Sequence, residues 1–242
     1  MKGQIWKLEI DQHRNLLYAE TRETENRQAL FYGFNLNTCT LTFADVTQPE
    51  NWLTGIEGSY NGVLFLHGYQ SAQSPVHKGI TAIDGTSGKT VWSNYTYAIQ
   101  HISTNGPVAF NTQIQPKHFF LLNAQTGAII RAYNPSIDLD ITLYTHFPVV
   151  TETLNNDLKK YVQGDVVGNI HYIGHNSFRI VSLHSLYKNV ISQVLLIIQD
   201  ENLVYHDLLN ENIQKLQPEA FITHGNQLIY IKNKVELKVL NL

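Results

Sequence analysis

The fold is decided by residues 82–92, which read AIDGTSGKTVW. The pattern is that of a strand end, a tight turn built on Asp and Gly, and a second strand that closes on Trp92. A weaker copy, LLNAQTGAIIR, begins 39 residues later at Leu121, and a fainter one, GFNLNTCTLTF, begins 49 residues earlier at Gly33. A period near forty residues in strand-rich sequence is typical of the blades of a β-propeller.

The three copies share an Asp or Asn, two free positions, a Ser or Thr, and then Gly or Cys. The side chains of Asp84, Asn35 and Asn123 can each accept backbone N–H bonds from residues two or three further on. Gly88 and Gly127 supply the position at which a positive φ carries little strain. The repeat therefore predicts the same chain reversal in each copy.

Two positions of the repeat vary between the copies. Cys39 takes the place of the glycine in the first copy, so that turn can have another shape. Trp92 and Phe43 share one position, where a large ring is expected to fill the wedge between neighbouring blades. Arg131 breaks this rule in the third copy.

The spacing of Ala82, Asp84, Gly88 and Trp92 resembles the repeat of the quinoprotein-type (PQQ-repeat-like) β-propellers. The resemblance implies a propeller fold. Enzymes of that kind are usually eight-bladed, much longer and secreted, so neither their activity nor their PQQ cofactor is expected here. The chain is more similar to small non-enzymatic propellers, including WD40-like and bacterial proteins of unknown role.

The composition favours one all-β domain spanning residues 1–242. Of the 242 residues, 43% are hydrophobic and 15% charged, with 13 Tyr and 10 Phe, as expected of strands buried on both faces. The net charge is −3, and the only basic doublet is Lys159-Lys160. A nucleic-acid or membrane-surface partner is therefore not expected.

The single cysteine excludes internal disulfides and cysteine-based zinc sites. Residues 1–10 alternate polar with apolar side chains and lack the apolar centre of a signal peptide. The longest apolar run, residues 194–198, is far too short to span a bilayer. These features predict a cytoplasmic protein, unless a leader has been removed.

Pairs of strands along the chain predict a single six-bladed β-propeller. The central strands are expected at residues 16–20 and 29–35, 63–67 and 79–84, 107–110 and 118–123, 160–163 and 169–173, 194–199 and 203–207, and 227–231 and 235–241. The N-terminal strand, residues 3–8, is expected to pair beside residues 235–242 and so close the last blade. Five or seven blades, and a two-sheet sandwich, are the alternatives.

Three segments fit this scheme less well. Residues 134–160 contain more loop than strand signals, and residues 70–78 read as a polar loop between strands. Residues 183–198 carry an apolar stripe at helical spacing, but their many β-branched side chains favour strand.

A metal site is one hypothesis for function. The chain has 11 histidines, and none has the spacing of a His-Glu-x-x-His motif. Counting back five residues from the second residue of three hairpin turns gives Glu57, His101 and Glu152. If these converge in an axial channel, two carboxylates and an imidazole suit a divalent metal ion in a hydrolase or lyase.

The favoured hypothesis is a non-catalytic propeller that binds a partner protein or peptide. No phosphate-binding loop and no Gly-x-Ser-x-Gly elbow is present, and the repeat residues have structural explanations. No cofactor is predicted on this view. The expected anchors are tyrosines in loops, namely Tyr60, Tyr69, Tyr95 and Tyr97.

Overall fold

The computed structural model of the protein describes residues 1–71, 73–152, 158–217 and 221–242, which are mostly β-structure. The predicted all-β class is confirmed. The chain divides into two compact units, residues 1–143 and 144–242. The described residues form five sheets of four or five antiparallel strands. Among them, no helix has the length and apolar character needed to cross a membrane.

The first unit contains three sheets, each built from four consecutive strands. The first sheet contains β1 (Gln4–Asp11), β2 (Leu16–Glu23), β3 (Gln28–Asn35) and β4 (Thr40–Val46). A 3₁₀ helix (Asn51–Leu53) leads to the second sheet, with β5 (Thr54–Tyr60), β6 (Val63–Ser71), β7 (Ser74–Asp84) and β8 (Thr90–Asn94). The third sheet contains β9 (Tyr97–Ser103), β10 (Gly106–Asn111), β11 (Phe119–Leu122) and β12 (Ile129–Ala132).

The second unit contains two sheets, one of which is not contiguous in sequence. That sheet contains β13 (Thr145–His146), β19 (Phe221–His224), β20 (Gln227–Lys232) and β21 (Glu236–Asn241). Between β13 and β19 the chain forms the other sheet, with β14 (Val149–Thr151), β15 (Asp165–His175), β16 (Phe178–Tyr187), β17 (Val190–Gln199) and β18 (Asn202–Asn210). A 3₁₀ helix (Lys159–Tyr161) lies between β14 and β15.

Within each unit, large clusters of buried apolar side chains lie between neighbouring sheets. Tyr18 and Phe31 of the first sheet share one cluster with Leu64 of the second. Phe65 of the second sheet packs in the same way with Leu122 of the third. The two sheets of the second unit share a cluster too, which includes Ile180, Leu195 and Tyr230. The apolar faces that the strand patterns predict therefore meet sheet against sheet.

The predicted turn forms in all three copies. The Oδ1 atom of Asp84 accepts hydrogen bonds from the backbone N–H groups of Thr86 and Ser87, at 3.2 and 2.7 Å. Asn35 and Asn123 each accept the equivalent pair of bonds, at 2.9 and 3.1 Å. Gly88 and Gly127 both have a φ of +70°, and Cys39, at +53°, adopts the same left-handed conformation. The first turn therefore keeps the shape of the other two.

The aromatic residue of each repeat packs against the turn of the next sheet. A Cβ atom on Gly88 would lie 2.8 Å from the ring of Phe43, and one on Gly127 would lie 2.8 Å from the ring of Trp92. The indole N–H of Trp92 also donates to the carbonyl oxygen of Ala124, at 2.8 Å. The predicted wedge between sheets is confirmed, and it requires glycine on the facing turn.

In the third copy an ion pair replaces the aromatic residue. Arg131 donates two hydrogen bonds to the carboxylate of Asp138, one of them at 2.6 Å. This guanidinium holds the pKa of Asp138 well below its usual value. Asp138 also accepts a bond from the backbone N–H of Asn134, so the pair holds the loop that follows β12.

The predicted strand pairs are confirmed for the first three blades and the last two, but the predicted fourth blade is wrong. Residues 159–161 form a 3₁₀ helix, and residues 169–173 belong to β15. β15 lies in the same sheet as β17 and β18, which had been predicted as a separate blade. Long hairpins merge these segments, so the described residues form five sheets where six were expected.

The predicted closure by the N-terminal strand is also wrong. β1 pairs with β2 along residues 4–11 and begins its own sheet. β21 lies at the end of its sheet and pairs with β20. The strand that completes the C-terminal sheet is β13, through pairs such as Thr145 with His224.

The preference for strand over helix at residues 183–198 is confirmed. β16 and β17 pair in register from Phe178–Gln199 to Tyr187–Val190. The connecting residues, Lys188 and Asn189, have φ values of +50° and +63°, as in a type I′ turn. The β-branched side chains therefore outweigh the helical spacing of the apolar stripe.

Candidate functional site

A cluster of one glutamate and two histidines lies on the second sheet, and the glutamate, Glu57, lies at a β-bulge of β5. Ile56 pairs with Leu66 and Gly58 pairs with Phe65, so Glu57 between them has no partner residue in β6. Bulges reorient side chains and are frequent beside functional sites.

The two histidines lie on the long hairpin of β6 and β7. His67 and Tyr69 are two residues apart on β6 and so point to the same face. Tyr69 pairs with His77 across the hairpin, because a register shift leaves Gly79, with a φ of +82°, unpaired. The prediction of a loop at residues 70–78 is therefore wrong: β6 continues to Ser71, and β7 begins at Ser74.

The three side chains converge on a single carboxylate oxygen. The Oε2 atom of Glu57 lies 2.9 Å from Nδ1 of His67 and 2.7 Å from Nδ1 of His77. The two imidazole rings stack at a centroid distance of 3.5 Å and an angle of 8°. The ring of Tyr69 meets both of them edge-on, at 5.1 and 5.4 Å. The arrangement is thus held by ring packing as well as by charge.

Burial falls off from His67 to His77. The side chain of His67 is 7% exposed, that of Glu57 18% and that of His77 38%. Burial acts to raise the pKa of Glu57, but the two imidazoles together outweigh it, so the pKa lies below its usual value. The carboxylate is therefore ionised at neutral pH and carries the negative charge of the cluster.

His67 has unused hydrogen-bonding capacity. Neither of its ring nitrogens has a hydrogen-bond partner among the described residues, although Nδ1 lies close to Glu57. Its ring presses against the backbone of Gly55, where a Cβ atom would lie 3.0 Å from Cε1 of His67 and 3.2 Å from Oε2 of Glu20. Gly55 is therefore needed to admit this ring.

An aromatic groove lies beside the cluster, and Tyr69 contributes to both. The groove has a volume of about 590 Å³. It is lined by Gln4, Trp6, Arg22, Thr24, Trp52, Leu53, Tyr69, Ser71, Gln73, Ser74 and Pro75. Trp6 lies at a second bulge, between Ile5 and Lys7 of β1, and its side chain is 73% exposed. We call this surface the aromatic groove.

Arg22 forms the polar floor of the aromatic groove. Its guanidinium donates to the carbonyl oxygens of Trp52 and Thr54, at 2.5 and 2.9 Å, and lies over the ring of Trp52. It also donates to the buried carboxylate of Glu20, which in turn accepts the backbone N–H of Ile56. These bonds tie Trp52 and the start of β5 to β2 of the first sheet.

The three predicted metal ligands, Glu57, His101 and Glu152, have different surroundings. Among the described residues, the group that could hold a metal ion is Glu57 with His67 and His77. The ring of His101 packs edge-on against Tyr133, and its Nε2 lies 3.9 Å from Asp140. Glu152 is exposed after β14 in the second unit. The proposed axial site of Glu57, His101 and Glu152 stays a prediction.

The four predicted tyrosine anchors have different surroundings. Tyr95 is 75% exposed, between β8 and β9. Tyr69 is half-buried and lines the aromatic groove. Tyr60 is half-buried and donates to the carbonyl oxygen of Thr104. Tyr97 is half-buried against Phe120. Their role in binding stays a prediction.

Sequence reasoning missed four residues of this region: His67, His77, Trp6 and Trp52. The alternation of His67 with Tyr69 was an available signal, since residues two apart on a strand share a face. His77 gave no such signal, because its partner depends on the register shift beside Gly79. Trp6 lies in residues 3–8, which were expected to pair beside residues 235–242, and its bulge is visible only in the observed pairing with β2.

Part of this region is similar to a family of known sequences. Residues 10–92, about a third of the chain, match the family described as "Domain of unknown function (DUF4905)". The matched stretch includes Glu57, His67, His77 and Trp52, but not Trp6. A search of curated proteins finds no match.

Proposed function

We propose that the chain is a small, non-catalytic β-propeller that binds a partner protein through an extended, proline-containing peptide. The propeller is supported by short antiparallel sheets whose buried side chains meet sheet against sheet. It is supported as well by the turn that recurs near the end of the third strand in the first three sheets. We infer five blades, one for each sheet.

The binding proposal rests on one observation, the exposed Trp6 at the bulge of β1. A tryptophan that is 73% exposed leaves a large apolar surface in water. Together with Trp52 and Tyr69 it lines the aromatic groove. Aromatic side chains of this kind are the usual anchors of protein interfaces, because they bury much area with little loss of rotamer freedom.

The chemistry of the aromatic groove favours a polyproline-type segment. Indole and phenol rings can pack against proline rings, and their N–H and O–H groups can donate to peptide carbonyls that lack partners in a polyproline II helix. Arg22, the one charged residue among the described lining residues, is already engaged by Trp52, Thr54 and Glu20. A neutral peptide is therefore the expected ligand, and no cofactor, PQQ included, is needed to bind it.

The test is selection of binding peptides from a random phage-displayed library on the full chain, followed by calorimetric titration of the selected peptide. We expect Trp6→Ala to weaken binding at least about tenfold, because loss of an aromatic anchor typically costs about 2 kcal/mol or more. Phe147→Ala removes a comparably exposed aromatic side chain from the second unit and should leave the affinity unchanged.

Three results would count against the proposal. Equal binding by Trp6→Ala, with loss of binding in Tyr95→Ala, would place the binding surface at the exposed loop tyrosine. Selection of charged sequences without proline or aromatic residues would overturn the peptide class. Recovery of no binding peptide would overturn the function itself.

A further inference from the structure

The cluster on the second sheet has the donor set of a metal site. We propose that Glu57, His67 and His77 bind one divalent transition-metal ion, with Zn²⁺ as the best match. Two imidazole nitrogens and one carboxylate oxygen are ligands that Zn²⁺ commonly takes in proteins. Ca²⁺ and Mg²⁺ prefer sites built from oxygen, so they are not expected here. This inference is independent of the aromatic groove.

The poorly satisfied ring of His67 carries the inference, since it is buried and its Nδ1 has only the close carboxylate of Glu57 beside it. An imidazole with 7% exposure and no hydrogen-bond partner among the described residues is unfavourable, because burial removes the water that would otherwise satisfy it. Its Nδ1 points into the same small volume as Nδ1 of His77 and Oε2 of Glu57. A cation at that point would satisfy both imidazoles and the carboxylate together.

The spacing of the ligand atoms is close to what the ion needs. In a tetrahedral Zn²⁺ site with bonds of about 2.0–2.1 Å to nitrogen, two ligand atoms lie about 3.3 Å apart. Oε2 of Glu57 lies 2.9 and 2.7 Å from the two Nδ1 atoms, and all three ligand atoms lie within 4.8 Å of one another. Binding therefore requires the carboxylate to shift by about half an ångström and the two stacked rings to tilt apart, because an imidazole binds a metal ion in the plane of its ring.

Three protein ligands leave one position for water or for an outside ligand, as in zinc sites that bind substrates. The side chain of His77 is 38% exposed. His67 and Tyr69 also line a cavity of about 460 Å³, which extends to Tyr95. An outside ligand can therefore approach the ion from this cavity.

The experiment uses the full chain, stripped with a chelator and dialysed. Titration with ZnCl₂ in a calorimeter should give one ion per chain, and MgCl₂ should give no binding. Glu57→Gln and His77→Asn should each weaken Zn²⁺ binding at least about tenfold, since even outer-shell partners contribute about 10–100-fold. His118→Asn, which changes an exposed histidine elsewhere in the first unit, is the matched control.

A second readout excludes misfolding as the explanation. His77 is partly exposed, so His77→Asn should keep the circular dichroism spectrum of the wild type. Co²⁺ bound to the wild type should show visible absorption bands that this variant lacks. Trp6→Ala leaves the cluster intact and should bind Zn²⁺ as the wild type does, so this test does not depend on the peptide groove.

Several outcomes would overturn the metal site. Absence of Zn²⁺ binding by the wild type at micromolar concentrations is the simplest. Affinity that is unchanged in both Glu57→Gln and His77→Asn would do so too. An equal loss in His118→Asn would indicate binding to scattered surface histidines.

Discussion

The two units of the chain make their sheets in different ways. The first unit builds three sheets from consecutive strands and uses the same five-residue turn in each. The second unit builds one of its sheets from β13 and β19–β21, with five other strands between them in sequence. Three of its hairpins turn on two residues with positive φ, at residues 188–189, 200–201 and 233–234. A repeated turn thus accompanies a regular order of strands, and tight hairpins accompany an irregular one.

The two units also use their histidines differently. In the first unit, His67 and His77 lie against the ionised carboxylate of Glu57. In the second, His184 is buried, and its Nε2 accepts the backbone N–H of Gln217, at 3.0 Å. Burial, with a smaller contribution from His171, lowers the pKa of His184. One group of imidazoles therefore has a counter-charge, whereas His184 is held neutral.

The largest expected effect comes from adding a side chain at Gly127, in the turn that faces Trp92. In Gly127→Ala the new Cβ atom would lie 2.8 Å from the ring of Trp92, at a φ of +70°. Left-handed strain of about 1–2 kcal/mol and overpacking of about 1–3 kcal/mol together predict a loss of about 2–5 kcal/mol. Urea denaturation followed by tryptophan fluorescence measures it, because Trp6, Trp52 and Trp92 all lie in this unit.

Gly225→Ala is the matched variant in the second unit. Gly225 also has a positive φ, +55°, but no atom lies within 4 Å of the position of its Cβ. Only the strain remains, so a loss of about 1 kcal/mol is expected, measured by circular dichroism. Equal losses in the two variants would mean that the packing of Trp92 against the turn contributes nothing.

The difference between the units decides how much could be predicted from the sequence. The repeat predicted the turns at Asp84, Asn35 and Asn123 and the strands around them. These turns depend on a local interaction, in which the side chain accepts backbone N–H groups two or three residues further on. The aromatic position of the repeat also predicted that Trp92 packs between sheets. In the second unit no such rule repeats, and the pairing of β13 with β19 joins residues about eighty apart. Long-range pairing of that kind leaves no local signal.

The candidate site was predictable only in part, for a related reason. Glu57 was selected by counting from the hairpin turn, and it does lie at a bulge. Its contacts with His67 and His77 depend on register shifts in β5 and β7, each produced by one extra residue in the strand. The alternation of polar and apolar residues along a strand does not reveal such a shift. His101, selected by the same count, instead packs against Tyr133.

The second prediction concerns pH and separates the two groups of histidines. The pKa of His184 in the folded chain lies below the ordinary histidine value of 6.5, so the unfolded chain binds the extra proton first. Stability should therefore fall as the pH drops below about 6.5, by up to about 1.4 kcal/mol for each pH unit until the folded pKa is reached. Glu57 has a pKa below the ordinary glutamate value of 4.5, so its contribution to stability is lost only in more acidic solution.

His184→Gln tests this assignment. A glutamine can still accept the bond from Gln217 but does not titrate, so thermal unfolding of the variant should depend less on pH between about 5 and 6.5. His224, whose pKa burial lowers as well, contributes to the slope that remains. His118→Gln changes an exposed histidine and should keep the full slope. A slope unchanged in His184→Gln would contradict the buried, neutral state of this side chain.

The smallest expected effect concerns Cys39, where the first copy of the turn departs from the other two. Its φ of +53° is left-handed, which strains a non-glycine residue by about 1–2 kcal/mol. Glycine removes this strain, but it loses about 0.5–1 kcal/mol more backbone entropy on folding. Cys39→Gly should therefore stabilise the first unit by about 0.5–1 kcal/mol, measured by urea denaturation and tryptophan fluorescence. Cys39→Ala keeps the Cβ atom and the strain, so its stability should match the wild type. The thiol of Cys39 lies 3.7 Å from the carbonyl oxygen of Leu36. If alanine stabilised the unit as much as glycine, the gain would come from removing this thiol, and the turn would not be strained.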